Sequence, residues 1–108
     1  MRYNSPDRVL SPRDFLENVE VIYDGGSGEN PNDTGFSLAR LTWEGNIALG
    51  IRWNVARREW DSPEKINNSI ECVGMPSSHG YPVWFVIPDE LLDSNSEIWE
   101  FIRDKFLK

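Results

Sequence analysis

The sequence predicts an α+β fold: a single domain over residues 1–108, with a largely antiparallel sheet of about five strands, a short N-terminal helix and a longer C-terminal helix packed on the sheet. Three observations favour it. Apolar and polar residues alternate on both sides of a turn near Gly45, short β-branched and aromatic runs are bounded by Gly and Pro, and the last residues carry an apolar stripe at helical spacing. A chain of 108 residues can bury one core but is too short for two domains.

The first third of the chain is predicted to contain a short helix, a strand and a loop. Ser11 suits the N-cap, Pro12 the first helical position, and Asp14 the positive end of the helix dipole. The run from Val19 to Tyr23 then has strand composition, and the Gly- and Asn-rich residues 24–35 form a flexible loop.

A hairpin is the best-specified element of the sequence. A three-residue turn, Glu44-Gly45-Asn46, gives a register that puts apolar residues on one face and polar residues on the other. The pairs predicted on the apolar face are Trp43–Ile47, Leu41–Leu49 and Ala39–Ile51, with Trp53 opposite Ser37. In this register Arg40 and Arg52 share the polar face with Asn54.

The second half is predicted to add two strands and a helix. Polar residues 55–68 form a surface excursion, and strands at Ser69–Val73 and Val83–Ile87 flank a loop over residues 74–82. A capping box of Ser94 with Glu97, or alternatively a cap at Ser96, begins the last helix. This helix is expected to cover the sheet with a stripe at helical spacing, namely Ile98, Phe101, Ile102 and Lys105/Phe106, with Trp99 beside it.

The charge balance disfavours general binding to polyanions. Eleven basic and 18 acidic residues give a formal net charge of −7, which repels a phosphate backbone. A local basic patch is the alternative: Arg40 and Arg52 on the predicted polar face would bind single-stranded nucleic acid. Ordinary salt bridges on a solvated face explain the same residues.

Few residues suit catalysis or metal binding. The single His79 and single Cys72 belong to no paired metal motif, so neither a metal nor a cofactor is predicted. Ser77-Ser78-His79 supplies a nucleophile and a base, which leaves a small hydrolase using His79 as a third hypothesis. No signal peptide or membrane-spanning run is recognisable, so we expect a cytoplasmic protein without a membrane partner.

Two segments carry a resemblance. Residues 48–54, Ala-Leu-Gly-Ile-Arg-Trp-Asn, and residues 74–88, from Gly-Met-Pro-Ser-Ser-His to Trp-Phe-Val-Ile-Pro, resemble a pattern in small uncharacterised bacterial proteins. Such proteins include products of mobile elements and of integron gene cassettes. The resemblance spans about residues 36–90 and implies a shared scaffold, without an activity to carry over.

The abundance of aromatic residues in and near loops predicts a binding role. The leading hypothesis is a non-enzymatic binding or interaction module, a homodimer, that contacts an unidentified protein or small ligand. Its surface would combine the 74–82 loop with the Trp53/Trp84 and Arg40/Arg52 regions. The candidate binding residues are Arg40, Arg52, Trp53, Asn54, Ser78, His79, Tyr81 and Trp84.

Overall fold

The fold is built around one antiparallel sheet. The computed structural model of the chain describes residues 1–13, 15–93 and 95–106. Its strands are β1 (Leu16–Asp24), β2 (Phe36–Trp43), β3 (Asn46–Trp53), β4 (Ser77–Ser78), β5 (Tyr81–Pro82) and β6 (Phe85–Ile87). Its helices are α1 (Pro63–Ile66), α2 (Glu97–Phe106) and three 3₁₀ segments, Pro6–Arg8, Arg57–Asp61 and Asp89–Leu92. The main sheet has the order β1-β2-β3-β6, and β4 and β5 form a separate two-stranded ribbon. The predicted α+β class is confirmed.

The central hairpin forms, but its predicted register is wrong by one residue. The turn contains two residues, Glu44 and Gly45, with φ of 49° and 81°, and Trp43 pairs with Asn46. Positive φ at both positions is the geometry whose twist matches that of paired strands. Because side chains alternate along a strand, the shift moves every β3 side chain to the other face.

The corrected register defines two faces of the sheet. The inner face carries Ala39 and Leu41 of β2 opposite Gly50 and Ala48 of β3. The outer face carries the alternate residues of the same strands. A Cβ at Gly50 would lie 2.6 Å from the Leu41 side chain and 3.0 Å from the indole of Trp84, so the inner face is closely packed where glycine leaves room.

The core lies against the inner face, beneath the N-terminal segment. Val9, Ala39, Leu41 and Trp84 form its fully buried part. The Trp84 indole N–H donates to the carbonyl of Val9 at 2.7 Å, so its one polar atom is paired. The prediction that Trp84 belongs to a contact surface is therefore wrong: this side chain is 3% exposed.

Two predicted elements are absent from the described residues. The Leu16 N–H donates to the Pro12 carbonyl at 3.2 Å and β1 already begins at Leu16, while Asp14 lies outside the described residues. The strand pattern that begins at Leu16 takes precedence over the helix-start signal. Residues 69–73 contain only an isolated bridge between Cys72 and Tyr3 in place of the predicted strand.

The C-terminal helix forms where it was predicted. It begins at Glu97, directly after Ser96, while the alternative cap Ser94 lies outside the described residues. Its main described contacts are with the 3₁₀ segment Asp89–Leu92. The side chains of the predicted apolar stripe, Ile98, Trp99, Phe101, Ile102 and Phe106, lie outside the described part of the structure. Within the described ranges, no helix is both long and apolar enough to cross a membrane.

Candidate functional site

Arg52 is buried on the inner face, which contradicts its predicted place on a binding surface. Only 2% of the residue is exposed. Its guanidinium donates to the backbone carbonyls of Val73 and Val83, and thereby ties two loop segments to β3. Burial lowers the pKa of Arg52 to about 10, although the charge of Glu59 acts in the opposite direction. This arginine is a structural cross-link.

Glu59 is the second buried charge, and the sequence pattern did not single it out. Its carboxylate accepts the backbone N–H groups of Ala56, Val73 and Gly74, each at 2.8 Å, and the Lys65 ammonium at 2.5 Å. Burial would raise the pKa of Glu59, but these hydrogen bonds together outweigh burial and lower it. The carboxylate therefore fixes the segment that follows β3.

Gly74 lies directly beside both buried charges, Arg52 and Glu59. Its φ is 77°, a conformation that a residue with a side chain rarely adopts. A Cβ there would collide with the Trp53 carbonyl and the Arg52 guanidinium. The glycine is therefore required by both backbone geometry and close approach.

Asn54, another predicted binding residue, is also buried and hydrogen-bonded within the fold. It is 1% exposed. Its amide donates to the carbonyl of Gly26 at 2.7 Å and to Asp24 Oδ1 at 3.2 Å, and it accepts the Ser37 hydroxyl at 2.8 Å. The same Asp24 oxygen accepts the hydroxyl of Tyr3 at 2.9 Å. Burial, followed by the contact with Asp24, raises the pKa of Tyr3 to about 12. This network anchors the 25–35 loop to the sheet.

Arg40 lies on the opposite side of the sheet from Arg52. It is exposed on the outer face, opposite Leu49 of β3 and beside Glu20 of β1. The two arginines therefore do not form the basic surface predicted from the three-residue turn. The one-residue difference in register is the physical reason, since it inverts β3 relative to that prediction.

The outer face exposes large apolar side chains. Ile22 is 60% exposed, Ile47 and Phe85 are each 56% exposed, and Trp53 is 48% exposed. Less exposed apolar residues fill the spaces between them, namely Leu38, Leu49, Ile51 and Ile87. A contiguous patch of this kind is typical of an interaction surface, whereas single exposed apolar residues are ordinary.

An aromatic row crosses the outer face from strand to strand. The rings of Tyr23 and Phe36 are 5.4 Å apart between centroids, and those of Phe36 and Trp53 are 5.9 Å apart and nearly perpendicular. Edge and tilted contacts of this kind stabilise neighbouring aromatic rings. The predicted binding residue Trp53 therefore stands at the end of an ordered row, beside Met75 and Phe85.

A cleft of about 610 Å³ brings together three of the predicted binding residues. The β4–β5 ribbon supplies one wall with Ser78, His79 and Tyr81, and His79-Gly80 forms its tight turn with φ of 51° and 81°. The opposite wall comes from the segment before β1. The residues that complete the lining are Ser11, Pro12, Arg13 and Val83. The cleft thus joins two segments that are distant in sequence.

The cleft has polar groups but lacks the connections of a hydrolytic site in its described lining. Nucleophilic catalysis needs a hydroxyl bonded to a base that a third group orients. Among the described residues, no hydrogen bond links the Ser78 hydroxyl to the His79 ring, and no carboxylate lines the cleft. The described lining residues therefore do not form a connected nucleophile, base and orienting group.

Comparisons with known proteins give no relatives for this chain: no family model, no curated protein and no solved structure matches it. The resemblance to bacterial mobile-element proteins stays a prediction. The site must therefore be judged from its own geometry.

Sequence reasoning missed the contribution of Ser11 and Arg13 to the cleft. The local pattern predicts the start of a short helix at both residues, whereas the signal that places them in the cleft is a tertiary contact. The backbone N–H of Trp84 donates to the Ser11 carbonyl at 3.0 Å, and this bond holds the segment before β1 beside the ribbon. The local sequence pattern does not indicate that contact.

Proposed function

We propose that this protein is a non-enzymatic interaction module that forms a homodimer through the outer face of its sheet. The observation that carries the proposal is the exposure of Ile22, Ile47 and Phe85 on regular strands. Leaving such side chains in water forgoes the free energy that burial provides, about 25 cal/mol per Å² of apolar surface. A partner that covers the face recovers it.

The balanced charge of the outer face is compatible with a second copy as that partner. Each chain carries a formal charge of −7, so two copies must meet through a surface with little net charge. On the outer face Glu20 of β1 and Arg40 of β2 are opposite each other in the strand register, and their formal charges cancel. In a two-fold arrangement, Arg40 can also approach Glu20 of the partner subunit, which makes the face self-complementary.

The area of the face sets the expected strength. Three strands of eight or nine residues and the short β6 form a face of roughly 450 Å², given strands about 4.8 Å apart and a rise of about 3.3 Å per residue. Two copies would bury roughly 900 Å², near the lower limit of about 1,000 Å² for specific interfaces. We therefore expect a reversible dimer.

Sedimentation velocity over a range of protein concentrations tests this proposal. The wild-type mass should rise from 12.5 kDa toward twice that value with increasing concentration. Ile47→Asp and Phe85→Asp, each placing a charge in the face, should weaken self-association at least tenfold (about 1.4 kcal/mol). Ile70→Asp is the matched control, because Ile70 is 52% exposed and lies outside the sheet.

Two results would contradict the dimer. A wild-type protein that stays monomeric up to about millimolar concentration, as it would if its own C-terminal helix covered the face, would reject it. Equal loss of self-association in Ile47→Asp and in Ile70→Asp would also reject the outer face, because general repulsion would then explain both variants.

A further inference from the structure

We infer that the cleft between the β4–β5 ribbon and the segment before β1 binds a small organic carboxylate with an apolar body. The inference is independent of self-association, because the cleft shares no lining residue with the outer face. Its volume of about 610 Å³ lies in the range of small-molecule sites, roughly 300–1,000 Å³.

The local charge of the cleft is opposite to that of the whole protein. Arg13 is the charged residue among those that line it, in a chain of formal charge −7. A guanidinium binds a carboxylate through two parallel hydrogen bonds. One positive charge matches one carboxylate, whereas a doubly charged phosphate would keep excess negative charge beside an acidic protein.

The polar side chains of the cleft are available to a ligand. Hydroxyls of Ser11, Ser78 and Tyr81 and the ring of His79 line it, and these side-chain groups make no hydrogen bond to another residue in the described part of the chain. The polar groups of the inner face are, by contrast, bound to loops. These four residues add hydrogen-bonding groups to the same cleft as Arg13.

The walls of the cleft are fixed and partly apolar. Beside one wall, the Trp84 indole N–H donates to the Val9 carbonyl, and the Trp84 backbone N–H donates to the Ser11 carbonyl. The Val83 N–H donates to the Pro76 carbonyl at 3.1 Å on the other. Pro12, Val83 and the Tyr81 ring supply apolar surface. A site held in advance loses little entropy on binding, and apolar walls favour a hydrocarbon body beside the carboxylate.

A matched ligand series tests the inference by amide NMR on the full chain. The probes are 2-naphthoate and hexanoate as carboxylates, 2-naphthamide as the neutral match, and 2-naphthyl phosphate as the dianion. A carboxylate should cause saturable shifts in the amide signals of Ser11, Arg13, residues 78–81 and Val83. The amide should bind about tenfold more weakly, because it lacks the charge-assisted bond.

Two arginine variants locate the charge that matters. Arg13→Gln should weaken 2-naphthoate binding about tenfold and leave 2-naphthamide binding unchanged. Arg58→Gln, at another exposed arginine, should change neither. The inference is overturned by absence of saturable shifts with either carboxylate, by shifts centred elsewhere, by equal binding of acid and amide, by tighter binding of the phosphate, or by equal effects of the two variants.

Discussion

The two faces of the sheet reverse the usual distribution of side chains. The inner face holds an arginine and an asparagine that are almost completely buried, Arg52 and Asn54, with Glu59 beside them. The outer face leaves Ile22, Ile47 and Phe85 more than half exposed. Residue type alone therefore does not decide which face is structural: buried polar groups with hydrogen-bonding partners hold loops in place, while the apolar groups of the outer face stay exposed.

Reversing the charge of one arginine on each face gives the largest expected contrast. Arg52→Glu removes the donors to Val73 and Val83 and places a carboxylate near Glu59, so we expect a loss of about 4 kcal/mol or more, a large part of the total stability of a small domain. Arg40→Glu changes an exposed side chain and should alter the free energy of unfolding by only about 0.5 kcal/mol. Urea unfolding followed by tryptophan fluorescence measures both.

Similar stabilities for the two charge-reversal variants would contradict the assignment of Arg52 and Arg40 to different faces. A stable, folded Arg52→Glu protein would indicate that Arg52 lies on the surface, as the register with a three-residue turn predicts. Loss of folding in Arg40→Glu as well would show that the outer face is also structural.

Two glycines, Gly74 and Gly45, allow the cost of a positive φ to be separated from the cost of close packing. Gly74→Ala combines a positive φ with collisions against the Trp53 carbonyl and the Arg52 guanidinium, and should cost about 3 kcal/mol. Gly45→Ala has a similar φ of 81°, but a Cβ there has no neighbour within 4 Å. It should cost about 1 kcal/mol, from the backbone conformation alone. Equal losses of stability in thermal or urea unfolding would assign the whole cost to φ and remove the role given to close approach.

The sequence predicted elements better than it predicted faces. Alternation located the β2–β3 hairpin, but either turn length puts Ile47, Leu49 and Ile51 together on one face. What distinguishes the registers is the space that Gly50 leaves for Leu41 and Trp84, and Trp84 is distant in the chain. Local patterns do not contain that information, so a correct hairpin was given the wrong register.

The sequence predicts one wall of the cleft and misses the other, for a related reason. Ser78, His79 and Tyr81 were found because a loop rich in small residues beside an aromatic suggested a binding surface. Arg13 depends on the packing of the N-terminal segment against Trp84. Likewise, Glu59 looked like an ordinary acidic residue within a polar excursion, since its partners at Val73 and Gly74 come from a later loop.

The pH dependence of stability gives the smallest and most specific contrast, between Glu59 near the inner face and Glu20 on the outer one. The pKa of Glu59 is lower in the folded chain than its ordinary value of about 4.3. The unfolded chain therefore binds more protons as the pH falls, and the stabilisation by Glu59 is fully present above about pH 5 and lost as the pH drops through the folded pKa. We expect Glu59→Gln to be less stable than wild type at pH 7 by about 2 kcal/mol, with the difference shrinking toward pH 3.

Glu20→Gln removes the same charge from an exposed position and should leave the pH dependence of unfolding close to that of the wild type. Urea unfolding at intervals between pH 7 and pH 3 measures all three proteins. A wild-type-minus-Glu59→Gln difference that stays constant with pH would mean that the hydrogen bonds from Ala56, Val73 and Gly74 do not favour the ionised carboxylate. The buried glutamate would then contribute to the inner face by packing alone, and the contrast between the faces would rest on Arg52 and Asn54.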